Sequence, residues 1–173
     1  LQPIAEMIGA LAPRLRGALV EQLVDELARE RPDSGSRKAR VLDTLVAEAL
    51  PDTPLPTRVR ASPKLARCVS ALPEATMALA CDVVTVAEII LTAPDLTDDL
   101  LIRVCAPERQ DHMKIIAGRT GVSPPLADSI VEHGESATVL VLVKNAGAQV
   151  TPRAFGRLAE LSAGDAAIRS ALV

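Results

Sequence analysis

The segment that decides the fold is written three times: LTDDLLIRVC at 96–105, VSPPLADSIV at 122–131 and VTPRAFGRLA at 150–159. Each opens with an aliphatic residue, then Ser or Thr, then Asp or Pro. A hydroxyl at a helix N-cap accepts a hydrogen bond from an orphan N–H of the first turn. Proline is tolerated in the first helical position, and an apolar residue before the cap suits a hydrophobic staple. Thr97, Ser123 and Thr151 are therefore expected as N-caps. Three and four residues beyond them stand Leu100-Leu101, Leu126-Ala127 and Ala154-Phe155. Seven and eight beyond stand Val104-Cys105, Ile130-Val131 and Leu158-Ala159. This is one apolar helix face repeated three times, in two parallel columns.

The intervening segments follow the same register. At a spacing of 26, Ile89-Ile90-Leu91 falls on Ile115-Ile116-Ala117 and then on Val141-Leu142-Val143. The stretch TVLVLV (138–143) alternates and is β-branched, so alone it reads as a strand; its register predicts a buried helix instead. ASPKLARCVSAL (61–72) shows the same punctuation, with Ser62 as cap and Pro63 next, and PEATMALAC (73–81) continues a partial unit. The expected fold is all-α: N-terminal helices packed on an αα-solenoid of HEAT-like helix pairs.

Upstream, Ile4, Met7, Ile8 and Leu11, then Leu15, Leu19, Leu23 and Leu27, recur at helical steps, with a break expected at Pro13. Val20 and Val24 form a second apolar flank, which predicts a homodimer through these first helices. RPDSGS (31–36) ends the pattern, a helix over about 37–50 follows, and the proline-rich PDTPLP (51–56) sets the expected boundary. The predicted division is an N-terminal helical region at 1–56 and helical repeats at 57–173. The start, LQPIAEMIGALAP, lacks a basic n-region and an initiator Met, and is expected to be a trimmed end rather than a signal peptide.

Composition narrows the function. Phe155 is the sole aromatic residue and the formal charge is −3, with no strongly basic segment. Nucleic-acid binding, which relies on phosphate neutralisation and stacking platforms, is disfavoured. No apolar run reaches membrane-spanning length. Cys68, Cys81 and Cys105 are sparse and odd in number, which predicts reduced, packed thiols and a cytoplasmic setting.

Few residues suggest chemistry. His112 and His133, with Cys105, Asp111 or Glu132, match no usual zinc-ligand spacing, so surface histidines near helix ends are expected rather than a metal site. His133 precedes Gly134, expected as a left-handed C′ glycine. Arg119 and Asn145 share a repeat position after a helix. They are read as a structural ladder, Asn145 through the left-handed conformation that ends helices, with a ligand or partner contact as the alternative. No nucleophile–base constellation or phosphate loop is present, so no catalytic residue and no cofactor is expected. On the face opposite the apolar columns, Asp99, Arg103, Glu132, Arg153, Arg157 and Glu160 stack into a mixed-charge ridge. It is read either as a solvated face or as a partner-binding surface.

The segment from Leu96 to Glu160, with His112, Ile115, Ile116, Ala117 and Arg119, then Asn145, and with Asp82 opening an earlier helix, resembles a bacterial family. That family is the "domain of unknown function 2336", found mainly in alphaproteobacteria. The resemblance covers roughly residues 65–173, and Ala93 departs from it where the later repeats carry Arg119 and Asn145. It implies a helical-repeat fold in a cytoplasmic regulatory protein, without an established activity. The expected function is a non-catalytic protein-interaction or scaffold module with a protein partner. A small-molecule sensor with an apolar cavity between N-terminal helices and repeats is the alternative, and a HEAT-type DNA-repair enzyme the weaker one.

Overall fold

The computed structural model describes residue 10, residues 12–30 and residues 33–172. Ile4, Met7, Ile8 and Leu11, read above as part of the first helical pattern, lie outside the described residues. Among the described residues the chain forms eleven helices and no strand. The TVLVLV stretch is helical, within Ser136–Lys144. One isolated parallel bridge joins Val122 to Ala148. The chain divides into two compact units, Leu1–Leu96 and Thr97–Val173. The proline-rich stretch at 51–56, expected as the boundary, falls inside the first unit.

The first unit holds α1 (Pro13–Glu30), α2 (Arg37–Ala49), α3 (Leu55–Leu65), α4 (Pro73–Ala80) and α5 (Val84–Leu91). Helices two apart pack together: α1 on α3, α2 on α4, α3 on α5. The rotation of α1 differs from the expectation. Val20, Val24 and Leu27 are buried, whereas Leu15 is 61% exposed, and Leu19 and Leu23 are half-buried. Gly17 lies on the same face as Val20 and Val24. A Cβ there would lie 3.5 Å from Thr57 Oγ1 and 3.6 Å from Pro54 Cδ. These are ordinary contact distances, so the rotation is set by burial of Val20, Val24 and Leu27 against the neighbouring helices. The valine flank is thus intramolecular core and is not open to a second copy.

Ser62 and Pro63 also correct the sequence reading. They do not start a helix; they lie inside α3. Pro54 precedes the first turn of α3, so the chain is already helical when it reaches Ser62. The Ser62 hydroxyl donates to Arg58 O at 2.9 Å, while Pro63 forgoes the i→i−4 bond to Val59 O, and the helix ends two residues later.

The second unit holds α6 (Asp98–Val104), α7 (Gln110–Ala117), α8 (Pro124–His133), α9 (Ser136–Lys144), α10 (Pro152–Gly164) and α11 (Ala166–Ala171). Here α6 packs on α8 and α8 on α10, while α7 packs on α9 and α9 on α11. Both apolar columns are buried on α6 and α8. On α10 only the first column, Ala154 and Leu158, is buried; Phe155 is 54% exposed and Ala159 is also exposed.

Such short helices have few internal hydrogen bonds. An eight-residue helix leaves about four N–H and four C=O groups unmatched at its two ends. The neighbours supply the partners. Leu72 precedes α4 and cannot cap it. Buried Asp43 of α2 instead accepts from Glu74 N at 3.0 Å and Ala75 N at 2.8 Å. Burial outweighs those donors, so the Asp43 carboxyl titrates above its ordinary value. Arg58 of α3 pairs with Asp82, Nε to Oδ2 at 2.7 Å, and Asp82 accepts from Val83 N at 2.7 Å at the start of α5. Gln110 of α7 takes Glu135 N at 2.8 Å and donates to His133 O at 3.0 Å. One side chain thereby closes both the end of α8 and the start of α9.

The three expected caps behave differently. Thr151 Oγ1 accepts from Ala154 N at 3.1 Å and donates to Asp128 of α8. Ser123 Oγ accepts from Leu126 N at 3.5 Å. Thr97 occupies the cap position with extended backbone, but makes no side-chain cap bond; Asp98 and Asp99 fill the first turn instead, where they suit the helix dipole. Thr151→Ala is therefore expected to cost about 1–2 kcal/mol, Thr151→Ser little, and Thr97→Ala close to nothing. Urea unfolding of the three variants measures this, and equal losses for Thr97→Ala and Thr151→Ala would contradict the assignment.

Candidate functional site

Asn145 follows α9 with extended backbone, φ −83° and ψ 106°. The left-handed conformation expected there is absent, and so is the one expected at Gly134, which has φ −79° and ψ 139°. Both residues serve other purposes. The Asn145 amide Nδ2 donates at 2.7 Å to Ala117 O and at 2.7 Å to Arg119 O, both at the end of α7. Its Oδ1 accepts from Gly147 N at 2.9 Å. Val122 N donates to Gly147 O at 3.2 Å and Gln149 N to Val122 O at 2.9 Å, so two inter-helix turns are zipped together. A Cβ on Gly147 would fall 2.2 Å from Thr120 O; only glycine permits this approach. At Gly134 a Cβ would lie 2.5 Å from Ile130 O, so space rather than handedness selects glycine. Arg119 is half-buried; burial works against its charge and the Asp98 carboxylate opposes that effect. These contacts give Asn145 a complete structural occupation.

His112 is not on the surface: it is buried in the first turn of α7. His133 ends α8 and is half-buried. Among the described residues no cluster of three or more His, Cys, Asp or Glu side chains is placed to hold a metal ion. No helix among them is long and apolar enough to cross a membrane.

The ridge residues are exposed: Asp99 and Arg103 on α6, Glu132 on α8, Arg153, Arg157 and Glu160 on α10. Arg153 Nη2 lies 3.3 Å from Glu132 Oε2 across the α8–α10 junction, and Arg157 Nη1 lies 2.8 Å from Glu160 Oε2 within α10. Exposed pairs of this kind contribute only about 0–1 kcal/mol, so they leave the groups available to a partner. Between α8 and α10 opens a cleft of about 320 Å³. Val131 and Ala154 form its apolar part, and Asp128, Glu132, Arg153 and Arg157 its rim. Sequence spacing placed the ridge but not the cleft, which depends on how far the two helix axes are held apart.

A larger cleft, about 820 Å³, lies in the first unit between the starts of α2 and α4. Arg37, Arg40, Thr44 and Glu74 line it, with Asp43 beneath. The sequence carried no signal for it, because its residues are joined only by the α2–α4 packing. The Thr44 hydroxyl donates to Glu74 Oε2 at 3.0 Å, and both Asp43 oxygens are taken by backbone N–H groups.

None of the three cysteines is in a disulfide; Cys68 and Cys105 are buried and Cys81 is half-buried. Burial, opposed by a hydrogen bond with Ser129, pushes the Cys105 thiol up to about 11. The reactive thiolate is therefore scarce at mildly alkaline pH. Brief iodoacetamide treatment of the native protein at about pH 8, read by peptide mass spectrometry, is expected to label Cys81 first and spare Cys105. Preferential labelling of Cys105 would contradict this packing.

No curated protein and no solved structure matches the chain. A family described as "Uncharacterised protein conserved in bacteria (DUF2336)" matches residues 86–173, which include all of α6 to α11 and thus both the Asn145 tie and the ridge. On that match over half of its length, the chain belongs to the bacterial DUF2336 family.

Proposed function

We propose that the chain is a non-catalytic protein-interaction module of HEAT-like helical repeats in a bacterial regulatory protein, working in the cytoplasm. The observation that carries this reading is the exposed ridge of α6, α8 and α10 beside the α8–α10 cleft. Mixed charge flanking an apolar floor suits a protein surface: the apolar part contributes affinity and the rim sets register and specificity. The polar groups that could do chemistry are engaged elsewhere. Asn145, Asp43 and Gln110 are committed to backbone groups at helix ends. A DNA-repair enzyme would need a basic face and aromatic side chains around a flipped base; the chain has a net charge of −3 and one phenylalanine.

A small-molecule sensor is the second reading, favoured by the 820 Å³ cleft of the first unit. That cleft is lined by charged and hydroxyl side chains together with Val41, Ala71 and Pro73. Self-association through α1 would now have to use the face carrying exposed Leu15, since Val20 and Val24 are core.

Reversing both ridge arginines, Arg153→Glu with Arg157→Glu, tests the proposal. Both positions are exposed, so circular dichroism and melting should stay close to wild type. Affinity capture from the source bacterium, quantified by mass spectrometry, is expected to recover a protein with the wild-type chain that the double variant loses. An unchanged capture profile would overturn the ridge as the binding face.

A further inference from the structure

The large cleft of the first unit lies between two walls internal to the chain: residues 34–44, with the start of α2, and residues 70–74, with the start of α4. Three side chains cross from the first wall to the second. The Ser34 hydroxyl donates to Ser70 O at 2.8 Å, Asp43 accepts from Glu74 N and Ala75 N, and the Thr44 hydroxyl donates to Glu74 Oε2 at 3.0 Å. These ties fix the spacing of the walls around about 820 Å³, a preformed volume suited to a small organic molecule.

Four charged groups line the cleft: Arg37, Arg40, Asp43 and Glu74. Both carboxylates are engaged, Asp43 through its two oxygens and Glu74 through one. Neither arginine has a hydrogen-bond or ion-pair partner among the described residues. Lys38 stands between them in sequence but does not line the cleft, and it pairs with Glu30. The chain thus provides a carboxylate for the cation outside the cleft and none for the two inside it. Arg37 and Arg40 are exposed and three residues apart on α2, so they share one helix face. A guanidinium presents only donors, and its fork matches the oxygens of a phosphate or carboxylate. Val41, Ala71 and Pro73 add apolar surface. Glu74, held at the level of Thr44, lies about 10 Å along the α2 axis from Arg37.

We propose that this cleft binds a small organic molecule with an anionic head, phosphate or carboxylate, at one end only. The head accepts hydrogen bonds from Arg37 and Arg40. The body lies on Val41, Ala71 and Pro73, and Glu74 rejects a second anionic group at the far end. This rests on the small-molecule reading of the cleft and uses no residue of the ridge.

The test is titration of the isotope-labelled full chain, followed by nuclear magnetic resonance, with phenyl phosphate, benzoate and neutral benzamide. Phenyl phosphate or benzoate is expected to shift the amides of Arg40, Val41 and Ala71 saturably in the millimolar range or below, as suits ligands of about ten heavy atoms. The tighter of the two identifies the head group. Arg37→Gln with Arg40→Gln should weaken binding at least about tenfold with unchanged circular dichroism, whereas Lys38→Gln, one cation fewer but outside the cleft, should leave it unchanged. Terephthalate, charged at both ends, should bind more weakly than benzoate, and Glu74→Gln should narrow that gap. No saturable shift up to about 10 mM, indifference to the double arginine variant, an equal loss in Lys38→Gln, or a terephthalate gap that Glu74→Gln leaves unchanged would overturn the proposal. If benzamide binds at the same amides as well as the anions do, the cleft stands as a small-molecule site and the anionic class falls.

Discussion

The constraint on which the rest of this structure depends is the backbone at the ends of short helices. Six of the eleven helices among the described residues have seven to ten residues, and in them the terminal N–H and C=O groups are roughly half of the total. Left buried and unmatched, each would cost about 1–3 kcal/mol. The chain meets this with side chains from the helix two places away. Asp43 closes the start of α4, Gln110 joins the end of α8 to the start of α9, and Asn145 takes two carbonyls at the end of α7. Each tie links helices that also pack through aliphatic columns, so polar satisfaction and apolar burial select the same register.

That coupling explains why so few groups are left for chemistry. A buried Asp, or a half-buried Gln or Asn, would ordinarily attract attention as a site residue. Here each is hydrogen-bonded to backbone groups at helix ends. The outer surface of the second unit carries charged groups in exposed, exchangeable pairs and a modest cleft.

The all-helical class and the cap positions at Ser123 and Thr151 were legible because they depend on local rules: hydroxyl before Pro, columns at three and four, seven and eight. The strand-like TVLVLV was rightly overruled by its 26-residue register, since Thr138, Val139 and Leu142 are buried on one helix face. Ser62 misled because Ser-Pro has the same local form inside a helix as at its start; only the preceding Pro54 start of α3 decides it. The orientation of α1 was not legible, because the leucine stripe and the valine flank both have helical spacing and only packing on α3 decides which is buried. Gly134 and Asn145 look like left-handed helix ends in sequence, yet they answer to close approach and to distant carbonyls. The ridge could be placed from helical periodicity. The two clefts could not, because they exist only between helices joined by packing.

The central claim, that side-chain ties across helix ends hold the register of the packed helices, is tested most directly by native-state hydrogen exchange in Asn145→Ala. The amides of Val122 and Gln149 donate to Gly147 O and Val122 O in the zipped turns beside Asn145. The account predicts that both exchange at least about tenfold faster in the variant, equivalent to about 1.4 kcal/mol, while amides within α3 of the first unit keep their protection. Unchanged protection at Val122 and Gln149 would show that the apolar columns alone hold the turns together, and would contradict the account.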